Sequence, residues 1–160
     1  MGAATATSSQ EQPKAYKVIL MAGLIAGALD ITAASVNSTL RGRGPIWVLQ
    51  SVASGVLGAD SYNGGLASAA LGLALHFLIA TGAAAVYYAA SRRLKLLVNR
   101  AIVCGLIYGV AVYLFMNLIV LPITFGRITP YPLAAIITGL VIHMLCVGLP
   151  IALVVRHYSK

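Results

Sequence analysis

The chain has 160 residues, of which 60% are hydrophobic and 9% charged, and its mean hydropathy of +0.93 is too high for a soluble domain of that size. Its formal charge of +8 does not mark a nucleic-acid binder, because the basic residues sit at the ends of long apolar runs and not in one stripe with interleaved aromatics. The only acids are Glu11, Asp30 and Asp60, which leaves little from which to build a paired-carboxylate active site.

In chain order, residues 1–15 form a polar tail, and residues 16–158 read as a single four-helix transmembrane domain. The first apolar run, about 18–36, approaches the ~20 residues a helix needs to span hydrocarbon. Asp30 would fall inside the hydrophobic region of any signal peptide cleaved near Ala33, so the run is read as an uncleaved span. Further spans are predicted over about 66–90, 101–121 and 133–155. The apolar stretch 45–58 is too short to cross and reads as an interfacial or re-entrant helix. Pro45 suits its start, Trp47 suits the headgroup boundary, and Asn63-Gly64-Gly65 supplies the turn that follows. Cys104 and Cys146 lie within apolar segments and read as buried apolar residues, not as a disulfide framework.

Charge sets the expected orientation. Lys14, Lys17, Arg92, Arg93, Lys95, Arg100, Arg156 and Lys160 fall on one side of a four-span topology, and Arg41, Arg43 and Arg127 on the other. The positive-inside rule then places both termini and the 91–100 loop in the cytoplasm.

The two halves carry matching motifs in the same order. Gly23-Leu-Ile-Ala-Gly27 in the first span corresponds to Gly105-Leu-Ile-Tyr-Gly109 in the third, and Gly72-Leu-Ala-Leu-His76 in the second to Gly139-Leu-Val-Ile-His143 in the fourth. The fold class expected is therefore an all-α integral membrane protein built as two parallel-repeat hairpins. Glycines spaced by four put small residues on one helix face, where backbones approach closely, so Gly23, Gly27, Gly72, Gly105, Gly109 and Gly139 are read first as packing seams.

Several stretches resemble the uncharacterised bacterial four-helix inner-membrane proteins of the YagU-like kind. They are Gly23 to Asp30, Gln50 to Gly58, Leu71 to Phe77, Tyr108 to Asn117 and His143 to Pro150, within residues 20 to 155. The resemblance implies a multi-pass protein of the bacterial inner membrane and no particular chemistry. It also puts Asp30, His76, Asn117 and His143 among the residues to watch.

Those four residues stand out on physical grounds as well. An ionisable group in hydrocarbon costs at least ~2.5 kcal/mol on insertion scales, so it faces the bundle interior and takes a partner. His76 lies ten residues past Leu66 and His143 ten past Leu133, on spans that run in the same direction, which predicts a similar depth. Two such imidazoles on diagonal helices could hold a b-type haem as axial ligands, and His143 with Cys146 one turn on is a weaker metal variant. Asp30 and Asn117 could share a depth and a hydrogen bond, or Asp30 could reach Arg41, Arg43 or Arg127.

No nucleophile elbow, Ser-x-x-Lys pair, phosphate loop or His-Glu-x-x-His zinc motif is present, and no enzymatic function is expected. The leading expectation is a structural or accessory bundle in lipid, as a homo-oligomer or within a larger membrane complex. A bis-histidine haem electron carrier through His76 and His143 is one alternative. A proton or small-solute channel or transporter using Asp30 and the histidines is the other.

Overall fold

The computed structural model describes residues 15–125 and 132–159. Four helices are long and apolar enough to cross a bilayer: α1 (Ala15–Leu40), α3 (Gly65–Arg93), α5 (Ala101–Phe125) and α6 (Leu133–His157). Two shorter helices join them, α2 (Pro45–Leu57) and the single turn α4 (Leu96–Asn99). The protein is thus a helical, multi-pass membrane protein, and α1 at 26 residues is about 39 Å long, more than the ~30 Å hydrocarbon thickness.

Successive spans run antiparallel, and small residues decide where they meet. A side chain on Gly23 would run into Thr81 of α3, and one on Gly27 into Phe77 and Ala80. In the other pair, a Cβ on Gly105 would meet Ala152 and Gly148 of α6, and one on Gly109 would land on the His143 carbonyl and Met144. Both glycine pairs are therefore seams between neighbouring spans, α1 on α3 and α5 on α6. Gly72 differs from this pattern, because it lies against the Leu49 carbonyl and seats α2, not α1. Gly139 leaves room for the Tyr113 ring.

The two pairs join through α1 and α6. Val18, Ala22 and Ala26 pack with Ala84, Tyr87, Val147, Ile151, Ala152 and Val155 in one buried cluster. This core sits in the half of the bundle nearer Lys17, Arg92, Arg93, Arg100 and Arg156, hereafter the basic end. The Tyr158 hydroxyl reaches the Met21 sulfur at 3.3 Å across the same interface. The side between α3 and α5 is held differently, by the Tyr108 hydroxyl donating to the Ala83 carbonyl at 2.7 Å and by the Tyr87 and Tyr108 rings meeting edge to face. Tyr87 also donates to the Leu97 carbonyl, fixing the α4 turn beneath it.

At the far end, α2 lies against α3 and the start of α5's last turns. Gly44 precedes Pro45, which opens the helix, and Gly58 ends it with φ +63°. Gln50 donates to the Gly65 carbonyl at 3.1 Å and Ser68 to the Ser61 carbonyl at 2.6 Å, so the α2–α3 connection is pinned by side chains. Trp47 stacks on Tyr62, and the Arg43 guanidinium lies 4.3 Å from the Trp47 ring centre.

The span expected to stop at Leu121 continues to Phe125. Pro122 lacks an N–H and its ring crowds the carbonyl four residues back, so it reads as a terminator. The helix passes it by widening: residues 116–120 form a π-turn in which the Leu121 N–H bonds the Met116 carbonyl. The same device precedes Pro150, where the Leu149 N–H bonds Met144 at the end of a π-turn over 143–148. Leu-Pro-Ile follows both π-turns, at 121–123 and 149–151.

Crowding at the seams makes a direct expectation. Gly109→Ala should lose about 1–3 kcal/mol of stability through overpacking against the His143 backbone. Gly82→Ala, whose added methyl meets nothing within 4 Å, should be neutral or stabilising. Unfolding of the two variants in detergent micelles measures the contrast, and equal stabilities would contradict the close approach.

Candidate functional site

Beyond the basic-end core the bundle opens, and its polar residues collect there. A cleft of about 360 Å³ lies between α3 and α5, with Leu75, Ile79 and Ala83 on one wall and Val112, Met116 and Leu121 on the other. Asp30, His76 and His143 also line it. A second hollow of about 520 Å³ opens among α1, α2, α5 and α6, with Asn37, Arg41, Arg43, Trp47 and Asn117 in its wall. Asp30, Ser51 and His143 border both, so the two hollows abut at these side chains.

Asp30 is the centre of this arrangement. Its Oδ2 lies 3.9 Å from His76 Nε2, too far for a hydrogen bond, and its Oδ1 is buried without any partner. Both side chains are largely shielded, His76 at 13% and Asp30 at 16% exposure. His76 Nε2 instead donates to the Gly27 carbonyl at 2.9 Å, tying α3 to α1. A carbonyl only accepts, so the hydrogen must be on Nε2, and Nδ1 keeps the lone pair. The Gly27 seam brings α3 close enough for this contact, one turn of helix before Asp30 itself.

His143 is arranged the other way round. Its Nδ1 donates to the Gly139 carbonyl of its own helix at 2.9 Å, leaving Nε2 with the lone pair, and its ring meets Tyr113 edge to face. Asn117 likewise turns back on its own helix, its amide donating to the Tyr113 carbonyl at 2.9 Å. Both residues belong to π-turns, at 116–120 and 143–148, where the backbone ladder is already re-registered.

The expected Asp30 to Asn117 hydrogen bond is therefore not formed, although both residues border the second, arginine-lined hollow. Depth alone does not decide which group lies nearest Asp30; the α1–α3 seam brings His76 there. Arg41 and Arg43 also stay away from Asp30: Arg41 Nε donates to Asn37 at 3.3 Å, and Arg43 covers Trp47. Arg127 lies outside the described residues. Among the described residues no three His, Cys, Asp or Glu side chains come together.

Sequence reasoning did not single out Ser51, which stands where the two hollows abut, or the role of Arg41 and Arg43 as walls of one of them. The available signal was Arg-Gly-Arg ahead of Trp47, two cations on the sparsely charged side of the membrane. The chain matches no protein-family model, and no curated protein or solved structure matches it.

The two histidine bonds predict unequal costs. His76→Leu removes an interhelical hydrogen bond and should cost about 0.5–1.5 kcal/mol, whereas His143→Leu removes a bond within one helix and should cost less. Equal losses in micelle unfolding would show that the His76 to Gly27 contact holds no helices together.

Proposed function

We propose that the protein is a carrier or channel for protons or a small solute, with Asp30 and His76 as its proton-binding pair. The observation that carries this reading is the unpartnered Asp30 Oδ1, buried where an arginine-lined hollow abuts a cleft between helices. A bare buried oxygen costs stability, and whereas the Ser38 and Ser61 hydroxyls share that state, Asp30 is the one such group among the described residues that ionises. An ionisable group kept in that state inside a span is what a proton relay requires. His76 Nε2–H, committed to the Gly27 carbonyl, also lies 3.9 Å from Asp30 Oδ2, so a small shift would let it donate to the carboxylate instead, with Nδ1 left as the ring's other proton site.

The same proposal places the chain in a bacterial inner membrane with both termini cytoplasmic, supported by the clustering of Lys17, Arg92, Arg93, Lys95, Arg100 and Arg156 at one end. It takes α2 as a helix at the outer interface, supported by its 13-residue length and the Arg43–Trp47–Tyr62 stack beside it. It also takes the two span pairs as a parallel repeat. Gly27 meets the helix of His76 as Gly109 meets the backbone of His143, which supports that reading. Kinship with the YagU-like proteins rests on the quoted motifs alone.

A structural or accessory bundle is the second reading, favoured by the glycine seams and by the bond each histidine makes to a helix carbonyl. The haem alternative has His76 and His143 lining a common cleft, but about 360 Å³ is near the lower limit for small-molecule sites.

Flux in proteoliposomes separates these readings. Wild type should dissipate an imposed proton or solute gradient, and Asp30→Asn should abolish that flux while unfolding like wild type. A folded wild type that moves neither returns the protein to the structural reading, and a Soret band in the purified protein would point to haem.

A further inference from the structure

The two hollows differ in chemistry in a way the translocation reading does not use. The α3–α5 cleft follows α5 from Val112 to Phe125, a length of about 20 Å at the helical rise. That is comparable to the ~15 Å half-thickness of the hydrocarbon that one leaflet's chains fill. Its α3 and α5 walls are largely aliphatic, with Leu75, Ile79, Val112, Met116, Val120 and Leu121, and its polar lining is Asp30, Ser51, His76, Thr124 and His143. Among the described residues, Tyr108 and Tyr87 close the α3–α5 side toward the basic end, and Val52, Gly55 and Val56 of α2 border the cleft at the other.

The arginine-lined hollow, by contrast, is cationic. Arg41 and Arg43 form no ion pair with any carboxylate among the described residues. Both are held in place nonetheless, Arg41 by Asn37 and Arg43 by the face of Trp47. Guanidinium groups fixed in this way present their remaining donors to a phosphate at little further cost in side-chain entropy. Arg41 follows Asp30 by eleven residues, so its backbone lies about 16 Å farther along the axis of α1, near headgroup level when Asp30 is near mid-membrane.

We infer that the paired hollows bind one anionic phospholipid of the surrounding bilayer, with its phosphate between Arg41 and Arg43 and one acyl chain in the α3–α5 cleft. The charge of the mouth selects the head, and the length and apolarity of the cleft accept the chain. The chain passes the junction that Asp30, Ser51 and His143 border, where the Ser51 hydroxyl is already spent on the Val48 carbonyl and His143 Nδ1–H on the Gly139 carbonyl. This inference stands whether or not the protein moves protons.

Nanodiscs of mixed phosphatidylglycerol and phosphatidylcholine, followed by native mass spectrometry of the released protein, test it. Wild type should retain one phosphatidylglycerol in preference to phosphatidylcholine. Replacing both Arg41→Gln and Arg43→Gln should lower that preference about thirtyfold, from the loss of two basic contacts to an anionic head. Val56→Trp, at an exposed position bordering the cleft, should reduce retention of both lipids without changing the preference. Retention indifferent to headgroup, or no retained lipid, overturns the inference. So does displacement of the lipid by glycerol phosphate at equal concentration, which would make the mouth a simple anion site without a chain-binding cleft. Thermal unfolding of each variant confirms that it is folded, and if the double variant is not, Arg43→Gln alone, expected to give about a fivefold loss, takes its place.

Discussion

In hydrocarbon a leucine gains nothing by leaving lipid for another helix, so close approach of backbones is what holds this protein together. The chain obtains that approach with glycine and alanine at fixed points: Gly23 and Gly27 against α3, Gly105 and Gly109 against α6, and Ala22, Ala26 and Ala152 where α1 meets α6. Larger side chains point outward into lipid, as Leu24, Leu78, Ile107 and Leu118 do. Apolar burial concentrates toward the basic end, where Tyr87 and Ile151 complete a buried cluster.

The far half follows from that concentration. With α1 tied to α3 and α5 tied to α6, and with α2 wedged against α3 through Gly72, no seam draws α3 onto α5 there. Space is left along that side, and the polar groups that the tight half excludes border it. Asp30 is carried to this space by α1, His76 by α3 and His143 by α6, so the site is a property of how the seams are distributed and belongs to no one helix. Its unusual feature is that the geometry satisfies both histidines and Asn117 on helix carbonyls while leaving one carboxylate oxygen of Asp30 bare.

Most of the architecture is legible in the chain because the solvent is so restrictive: a span must be long, apolar and helical, and Pro45 and Gly58 bracket the short helix between the first two. The ends are less legible where a rule has an exception. Pro122 marks a stop by its chemistry, yet a π-turn lets the helix continue, and only the repetition of Leu-Pro-Ile at 121 and 149 hints that both prolines are handled alike. The polar residues are easy to find, since they are few, but their partners are not. Periodicity gives depth along an axis and says nothing of rotation about it, so the sequence offers Asn117, Arg41, Arg43 and Arg127 for Asp30 and does not single out His76. The contact of α3 on Gly27 brings His76 nearest.

The prolines divide the protein mechanically. α1 and α3 run as unbroken α-helices, whereas α5 and α6 each contain a widened turn next to a proline. Such turns lower the bending stiffness of a helix, because the backbone bonds that resist curvature are re-registered or missing there. One pair of spans is therefore a rigid wall and the other a compliant one. α5, the least buried of the four spans in its most apolar stretch, has the least to restrain it, and it forms one side of the α3–α5 cleft. A bend at the widened turn of α5 would change the width of that cleft and leave the Asp30–His76 wall, on α1 and α3, in register.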